Sequence, residues 1–219
     1  QTLTVSVTDV FENATPVFTS ADAVDAVENQ TTAATVVATD ADEGDTLTYS
    51  LTGGGDAALF DIVDATGLIT FKAAPDFEAP ADADGNNTYI VEVTVGDGTD
   101  TAVQTLTVTV TDVNDAPTSI ALGVVVSSLA EDADNPRDVA TKIADIVITD
   151  PDGDTNAVSL SGADVASFEV VDSELQLKAG VALDYDTKSS YAVTLTTGSV
   201  SVDYTLTITD YDTTFSIIY

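Results

Sequence analysis

The chain has 219 residues, enough for two ordinary domains, and 44% of them are hydrophobic, so folded cores are expected. Its 38 acidic residues against 5 basic ones give a net charge of −33, which excludes nucleic acids and anionic membranes as partners, and no apolar stretch is long enough for direct membrane insertion. Cys and His are absent, which excludes disulfides and the usual zinc ligands, whereas the abundant carboxylates favour a hard cation such as calcium.

Short segments in which apolar and polar residues alternate follow one another along the chain. They are rich in Val, Ile, Thr and Tyr and are bounded by Gly, Asp and Asn, which predicts β-strands with a core face and a Thr-rich solvent face. In the first half they are ATVVAT (34–39), DTLTYSL (45–51), LITFK (68–72), TYIVEVTV (88–95) and TAVQTLTVTVTD (101–112). In the second half they are DVATKIADIVITD (138–150), AVSLSG (157–162), SFEVV (167–171), ELQLK (174–178), YAVTLTT (191–197) and VDYTLTITD (202–210). Tyr49, Tyr89 and Tyr191 fall at predicted core positions.

The same motifs occur twice in the same order, at a spacing of about 100 residues. An acidic joint, TDVFENATP (8–16), recurs as TDVNDAP (111–117). A repeat of this length is a domain with its own core, and its strand pattern predicts an antiparallel β-sandwich. The predicted organisation is a final strand and linker of a preceding repeat (1–14), two repeats (15–115 and 116–212) and a C-terminal tail (213–219).

Carboxylates gathered in one place repel each other, and a bound cation offsets that cost. Calcium takes roughly six to eight oxygen ligands. Neither DADGNN (82–87) nor DPDGD (150–154) fits the single-loop EF-hand pattern, so the ligands are expected to converge from several loops.

Five short motifs follow in the order VEN (27–29), DAD (40–42), TYSL (48–51), PDFE (75–78) and DVNDAP (112–117). This ordered set resembles a cadherin-type repeat. The phrase ELQLKAGVALDYDTKSSYAVTLT (174–196) is similar to the cadherin-like repeats of large bacterial (RTX-type) surface adhesins. The resemblance implies an all-β fold class: tandem Ig-like (cadherin-like) antiparallel β-sandwiches joined end to end through calcium-binding junctions.

The resemblance also implies three sets of calcium (Ca2+) ligands. The central junction is expected to use Glu28, Asp76, Glu78, Asp112, Asn114, Asp115, Asp150 and Asp152. The upstream junction is expected to use Asp9, Glu12, Asn13, Asp40, Asp42 and Asp97, with weaker binding or a different geometry because its joint departs from the pattern. A downstream half-site is expected to use Glu131, Asp184, Asp186, Asp210 and Asp212. The second repeat has TTGSVS (196–201) where the first has Asp97, so the central junction is expected to lack one ligand.

The resulting functional prediction is a calcium-stiffened extender segment of an extracellular cell-surface adhesin, of the kind that supports biofilms, with neighbouring repeats of the same chain as partners. The first alternative is a self-assembling filament or surface-layer subunit, in which the N-terminal strand (1–9) is donated to another chain. The second is a carbohydrate-binding module with a glycan or other surface ligand, although the chain has no Trp. A two-carboxylate glycosidase is the third alternative, and it is rejected because the metal already accounts for the paired acids. The chain is therefore predicted not to be an enzyme.

Overall fold

The structure is a computed structural model that describes residues 1–3, 12–132 and 137–211. The chain divides into two compact units, Gln1–Val113 and Asn114–Tyr219. Most of the predicted N-terminal strand, including Asp9, lies outside the described residues, as do Asp212 and the predicted tail 213–219.

The first unit is built from short strands, as the alternating pattern predicts. They are β1 (Val17–Phe18), β2 (Ala23–Val27), β3 (Thr32–Thr35), β4 (Ala38–Thr39), β5 (Thr48–Gly53), β6 (Phe60–Val63), β7 (Leu68–Phe71), β8 (Thr88–Gly96) and β9 (Thr101–Thr111). One sheet has the order β2-β9-β8-β5, a second has the order β3-β7-β6, and β1 pairs with β4. The core contains Phe60, Phe71 and Tyr89, whose ring centroids lie 4.5 to 5.8 Å apart. This is an Ig-like β-sandwich.

The predicted strand ATVVAT (34–39) is divided into β3 and β4 in the structure. Between the two strands, the Val36 N–H donates to the Gly67 carbonyl, and the Val37 carbonyl accepts from Thr19 and Ser20. The chain therefore shifts from one pairing partner to another at Val36 and Val37. Alternation alone does not reveal this break, because Val36 is buried and Val37 is exposed, as in a continuous strand.

Gly67 is required by the turn that faces this break. Its φ is +69°, and a Cβ atom there would lie 2.3 Å from the Val36 carbonyl oxygen. We expect Gly67→Ala to destabilise the first unit by about 3 kcal/mol, because the left-handed backbone and the clash both act against it. The matched control is Gly85→Ala, which has a φ of +68° and nothing within 4 Å of the added Cβ. Urea denaturation followed by circular dichroism should show a cost of only about 1 kcal/mol for the control. Equal costs would mean that the contact with Val36 is irrelevant.

The second unit repeats the same arrangement. Its strands are β10 (Ser119–Gly123), β11 (Ser128–Ala130), β12 (Thr141–Thr149), β13 (Ser159–Ser161), β14 (Phe168–Val171), β15 (Glu174–Leu177), β16 (Ser190–Thr197) and β17 (Val200–Thr209). They form two sheets with the orders β10-β12-β15-β14 and β11-β17-β16-β13. The core is centred on Phe168, Leu175, Leu183, Leu195 and Leu206, all of which are 0 or 1% exposed.

The sandwiches are antiparallel except for one strand pair in each unit. β2 runs parallel to β9, with Val27 opposite Thr111, and β11 runs parallel to β17, with Ala130 opposite Thr209. In the first unit the pairing of β1 with β4 ends at Thr19 and Ser20, and the chain then joins the edge of β9 as β2. As a result, the residues that follow β2 and β9 are side by side at the same edge of the sheet.

Tyr49, Tyr89 and Tyr191 are buried, as predicted. In the part of the chain that the structure describes, no helix is long and apolar enough to cross a membrane.

Candidate metal centre

A buried glutamate stands where β2 ends in the first unit. Glu28 is 1% exposed, and its two carboxylate oxygens accept hydrogen bonds from different backbone segments. Oε1 accepts from the Val113 N–H at 2.7 Å, and Oε2 accepts from the Phe77 N–H at 2.9 Å. These charge-assisted bonds fix the side chain in place and join the β7–β8 loop to the end of β9.

Three carboxylates meet at this edge. Each of three side chains places one carboxylate oxygen within 4.8 Å of the other two: Glu28, Glu78 and Asp112. Asp112 is beside Glu28 because β2 and β9 are parallel and end together. The predicted ligand Asp76 lies in the same loop but is not a member of this group. Its Oδ1 accepts from the backbone of Glu78 and of Ala79, both at 3.1 Å, and so stabilises the turn that carries Glu78.

A second acidic group lies where the chain enters the first unit. Each of three aspartates places one carboxylate oxygen within 4.8 Å of the other two: Asp40, Asp42 and Asp45. Asp40 Oδ1 accepts from the Asp42 N–H at 2.9 Å, while Asp40 Oδ2 is buried and has no hydrogen-bond partner. Burying a carboxylate oxygen without a donor is costly, so this atom fits a cation ligand.

The loop between β8 and β9 brings two more carboxylates to this group. The Asn13 side-chain amide donates to Asp97 Oδ2 and to Asp100 Oδ2, both at 3.0 Å. Hydrogen bonds from the backbone of Asp100 and Thr99, and then from Asn13, hold the pKa of Asp97 below its ordinary value. Partial desolvation, followed by repulsion from Asp40, Asp42 and Asp97, raises the pKa of Asp45. We call Asp40, Asp42, Asp45, Asp97 and Asp100, with Asn13, the entry cluster.

The corresponding end of the second unit contains Asn114, Asp115, Asp150 and Asp152. Asp152 Oδ2 accepts from the Asp115 N–H and, at 3.2 Å, from the Asn114 side-chain amide. Asp150 Oδ1 accepts from the Asp152 N–H at 3.0 Å, just as Asp40 does from Asp42. Asp115 and Asp152 therefore hold the start of the second unit against its DPD loop.

The same geometry shows how the two joints correspond. The Ala14 N–H donates to Asp42 Oδ2 at 2.6 Å, as Asp115 does to Asp152, and the Asn13 amide donates to its neighbour's carbonyl, as Asn114 does. Asn13 therefore takes the place of Asn114, and Ala14 takes the place of Asp115. The remaining predicted ligand of the upstream joint, Glu12, is exposed.

At the far end of the second unit, Glu131 repeats the role of Glu28. Its Oε1 accepts from the Tyr211 N–H at 3.0 Å and its Oε2 from the Tyr185 N–H at 3.1 Å. Asp184 accepts from the Thr187 hydroxyl and backbone, which lowers its pKa. Asp186 and Asp210 are exposed. Within residues 114–132 and 137–211, no three carboxylates meet as they do in the first unit.

Asp45 and Asp100 were not among the ligands expected from the sequence. Both lie next to predicted ligands, in DADEGD (40–45) and DGTD (97–100), and this density of Asp was the available signal. All these groups offer carboxylate and amide oxygens, a donor set that suits calcium.

The comparisons with known proteins place the chain among cadherin-like folds. A profile of the bacterial Ig domain family (Big_9) matches residues 13–111. Protocadherin Fat 2 of Mus musculus is 34% identical over 142 residues, which cover 63% of this chain and 3% of that protein. Cadherin-8 of Homo sapiens is 31% identical over 192 residues, which cover 79% of this chain and 22% of that protein. The chain thus spans only a small part of the curated relatives that it matches.

Solved structures agree with this assignment. The protocadherin gammaB4 extracellular domain has a TM-score of 0.63 and 27% identity, covering 94% of this chain and 34% of that one. Domains EC1-2 of human protocadherin-24 have a TM-score of 0.65 and 21% identity, covering 92% of this chain and all of that one (100%), and show the fold alone. Together the matches support cadherin-like repeats, and they indicate no enzyme family.

Proposed function

We propose that this chain is a calcium-stiffened spacer segment of a bacterial cell-surface adhesin. One observation carries the proposal. The peptide that connects the two units is held on each side by a carboxylate of the adjoining unit, since the Val113 N–H donates to Glu28 and the Asp115 N–H donates to Asp152. Both carboxylates belong to the predicted calcium ligands of this joint.

In this proposal each unit supplies its own ligands next to the connecting peptide. The first unit supplies Glu28, Glu78 and Asp112, with Asp76 shaping their loop. The second supplies Asn114, Asp115, Asp150 and Asp152. Calcium, when bound, supplies positive charge that offsets the repulsion among these carboxylates. With the carboxylates held in place, the amides of Val113 and Asp115 remain bonded, and the connecting backbone loses conformational freedom.

The predicted setting is extracellular, with neighbouring repeats as partners. The cadherin-like matches favour an adhesion role, and a spacer made of repeated modules requires no active site. A glycan-binding role gains nothing from Tyr49, Tyr89 and Tyr191, because all three are core residues. Strand donation by residues 1–9 stays an alternative prediction, and it concerns residues that lie mostly outside the described part of the chain.

Small-angle scattering of the full chain in millimolar calcium and in EDTA tests the proposal. We expect the maximum dimension to be larger and the spread of conformations narrower in calcium. The double variant Asp112→Asn plus Asp150→Asn should behave in calcium as the unmodified chain does in EDTA. The matched control is Asp61→Asn plus Asp172→Asn, which removes two carboxylates that lie outside the proposed ligand sets. Identical scattering of the unmodified chain in both buffers would exclude the stiffening role.

A further inference from the structure

We propose that the edge of the second unit formed by β10 pairs with the same edge of a second copy of this chain. β10 stands at the end of the sheet order β10-β12-β15-β14, so β12 lies on only one side of it. Among the residues that the structure describes, no strand pairs with the other side of β10. Such a contact joins separate chains and involves none of the proposed calcium ligands, so it is independent of the proposed spacer role.

The backbone of β10 directs hydrogen-bonding groups toward this edge. Ile146 donates its N–H to the β14–β15 turn at 2.8 Å, on the side of β12 that faces β15. The next residue, Val147, therefore directs its backbone groups toward β10, where it is opposite Ala121. Alternate residues of a strand direct these groups to opposite sides, so those of Ile120 and Leu122 face away from β12. Two such edges, related by a two-fold axis, can form an antiparallel ladder.

The edge also lacks the charges that keep two acidic chains apart. Residues 116–130 form the longest run without a charged side chain in a chain whose net charge is −33. The one carboxylate on β12 is Asp145, opposite Gly123, and the Lys142 ammonium pairs with it at 2.6 Å. Like charges opposite each other destabilise a strand pair, so a second copy meets less repulsion here than at the acidic loops.

Exposed valines continue the edge beyond Gly123. Val124 is 82% exposed, and Val125 and Val147 are about half exposed. Val124 has a φ of +45°, a left-handed backbone that is rare for a β-branched residue and costs free energy. A valine this exposed gains little from its own unit, whereas burial against a second copy removes its apolar surface from water.

The first unit does not offer an equivalent edge. Its counterpart of β10 is β1, which has two residues where β10 has five. A very short edge strand is one of the usual protections against pairing between chains, because it presents few backbone groups in a row. The second unit lacks this protection, and we therefore expect association through β10.

Sedimentation velocity of the full chain over a wide range of concentrations tests the pairing. EDTA is present throughout, so that calcium cannot bridge two acidic surfaces. We expect the mass to approach that of a dimer as the concentration rises. Sodium chloride should strengthen the dimer, because it screens the repulsion between the copies. Hydrogen exchange of the Ile120 and Leu122 amides should slow as the dimer forms.

Three variants make the test specific. Asn tolerates the left-handed region, so Val124→Asn should preserve stability in urea while the loss of two buried valines weakens the dimer by about tenfold or more. Ala121→Glu places two like charges across the axis and should weaken the dimer by about fivefold. The matched control is Val103→Asn, at a valine of the first unit that is 60% exposed, and it should change the dissociation constant by less than about twofold.

Three results would overturn the pairing. The first is a chain that stays monomeric at every concentration and salt level. The second is a dimer in which exchange of the Ile120 and Leu122 amides is unchanged, which would assign the contact to another surface. The third is equal weakening by Val124→Asn and Val103→Asn, which would mean that the valines of this edge are not part of the contact.

Discussion

Replacement of Glu28 by Ala is expected to destabilise the first unit by about 3 kcal/mol even when calcium is absent. The carboxylate is 1% exposed and accepts the Phe77 and Val113 amides at 2.9 and 2.7 Å. Its removal leaves two donors without their partner, and hydrogen bonds to charged groups contribute about 1.5–3 kcal/mol each. Relief of repulsion from Glu78 and Asp112 offsets part of this loss. Urea denaturation in EDTA measures the effect.

Two variants make the measurement specific. Glu28→Gln keeps one acceptor oxygen and should lose less stability than Glu28→Ala, while its neutral amide should still weaken calcium binding. Glu78→Ala removes a carboxylate of the same group that is less buried than Glu28, so it should weaken calcium binding at a smaller cost in EDTA than Glu28→Ala. If Glu28→Ala lost stability only in the presence of calcium, Glu28 would be a ligand without a structural role.

Calcium is expected to raise the melting temperature of the chain by more than about 10 °C when its concentration is 100 times the dissociation constant. A ligand at that concentration stabilises the folded state by about 2.7 kcal/mol per site. Each kcal/mol corresponds to roughly 4 °C or more for a unit of about 100 residues. The carboxylate groups of the first unit provide two such sites. The melting temperature of the first unit should therefore rise more than that of the second.

The controls for this melt distinguish binding from screening. Sodium chloride at matched ionic strength screens the net charge of −33 without filling a site, so its effect should be much smaller. Magnesium demands a near-octahedral shell and keeps its waters, so it should also stabilise less than calcium. An equal shift in sodium chloride would mean that the acidic residues are only a solvated coat.

The longer strands could be predicted from the sequence because their two faces differ. In β8 and β9, Val91, Val93, Leu106 and Val108 are fully buried and alternate with polar residues, and both strands begin and end close to the predicted segments. Several short strands were missed, among them β1 and β2. β1 has only two residues and β2 begins with an exposed alanine, so neither shows enough alternation for detection.

The parallel pairing of β2 with β9 also could not be predicted, because it depends on where the chain crosses between sheets. Alternation indicates which side of a strand is buried, but it contains no information on the neighbouring strand. The break at Val36 and Val37 is of the same kind, since it follows from the turn at Gly67 in a distant part of the chain.

The carboxylate groups could be predicted where motif and topology coincide. Glu28 and Asp112 were expected to share a site, and they do share one group, with Glu78 as the third member. Asp45 and Asp100 were not predicted, and for Asp100 the reason is the length of its loop. The four-residue loop 97–100 and the two-residue turn 198–199 connect equivalent strands, yet only the longer one carries acidic side chains toward its cluster.

The parallel alignment of β2 with β9 determines how the first unit responds to a mechanical load. The chain enters near β2 and leaves after β9, so tension on the two ends pulls these strands in opposite directions along their length. Their backbone hydrogen bonds, from Ala23 opposite Thr107 to Val27 opposite Thr111, are then loaded together in shear instead of opening one after another. The residues that follow this pair, Glu28 and Asp112, belong to the carboxylate group, so a cation shared by them would resist the sliding motion directly.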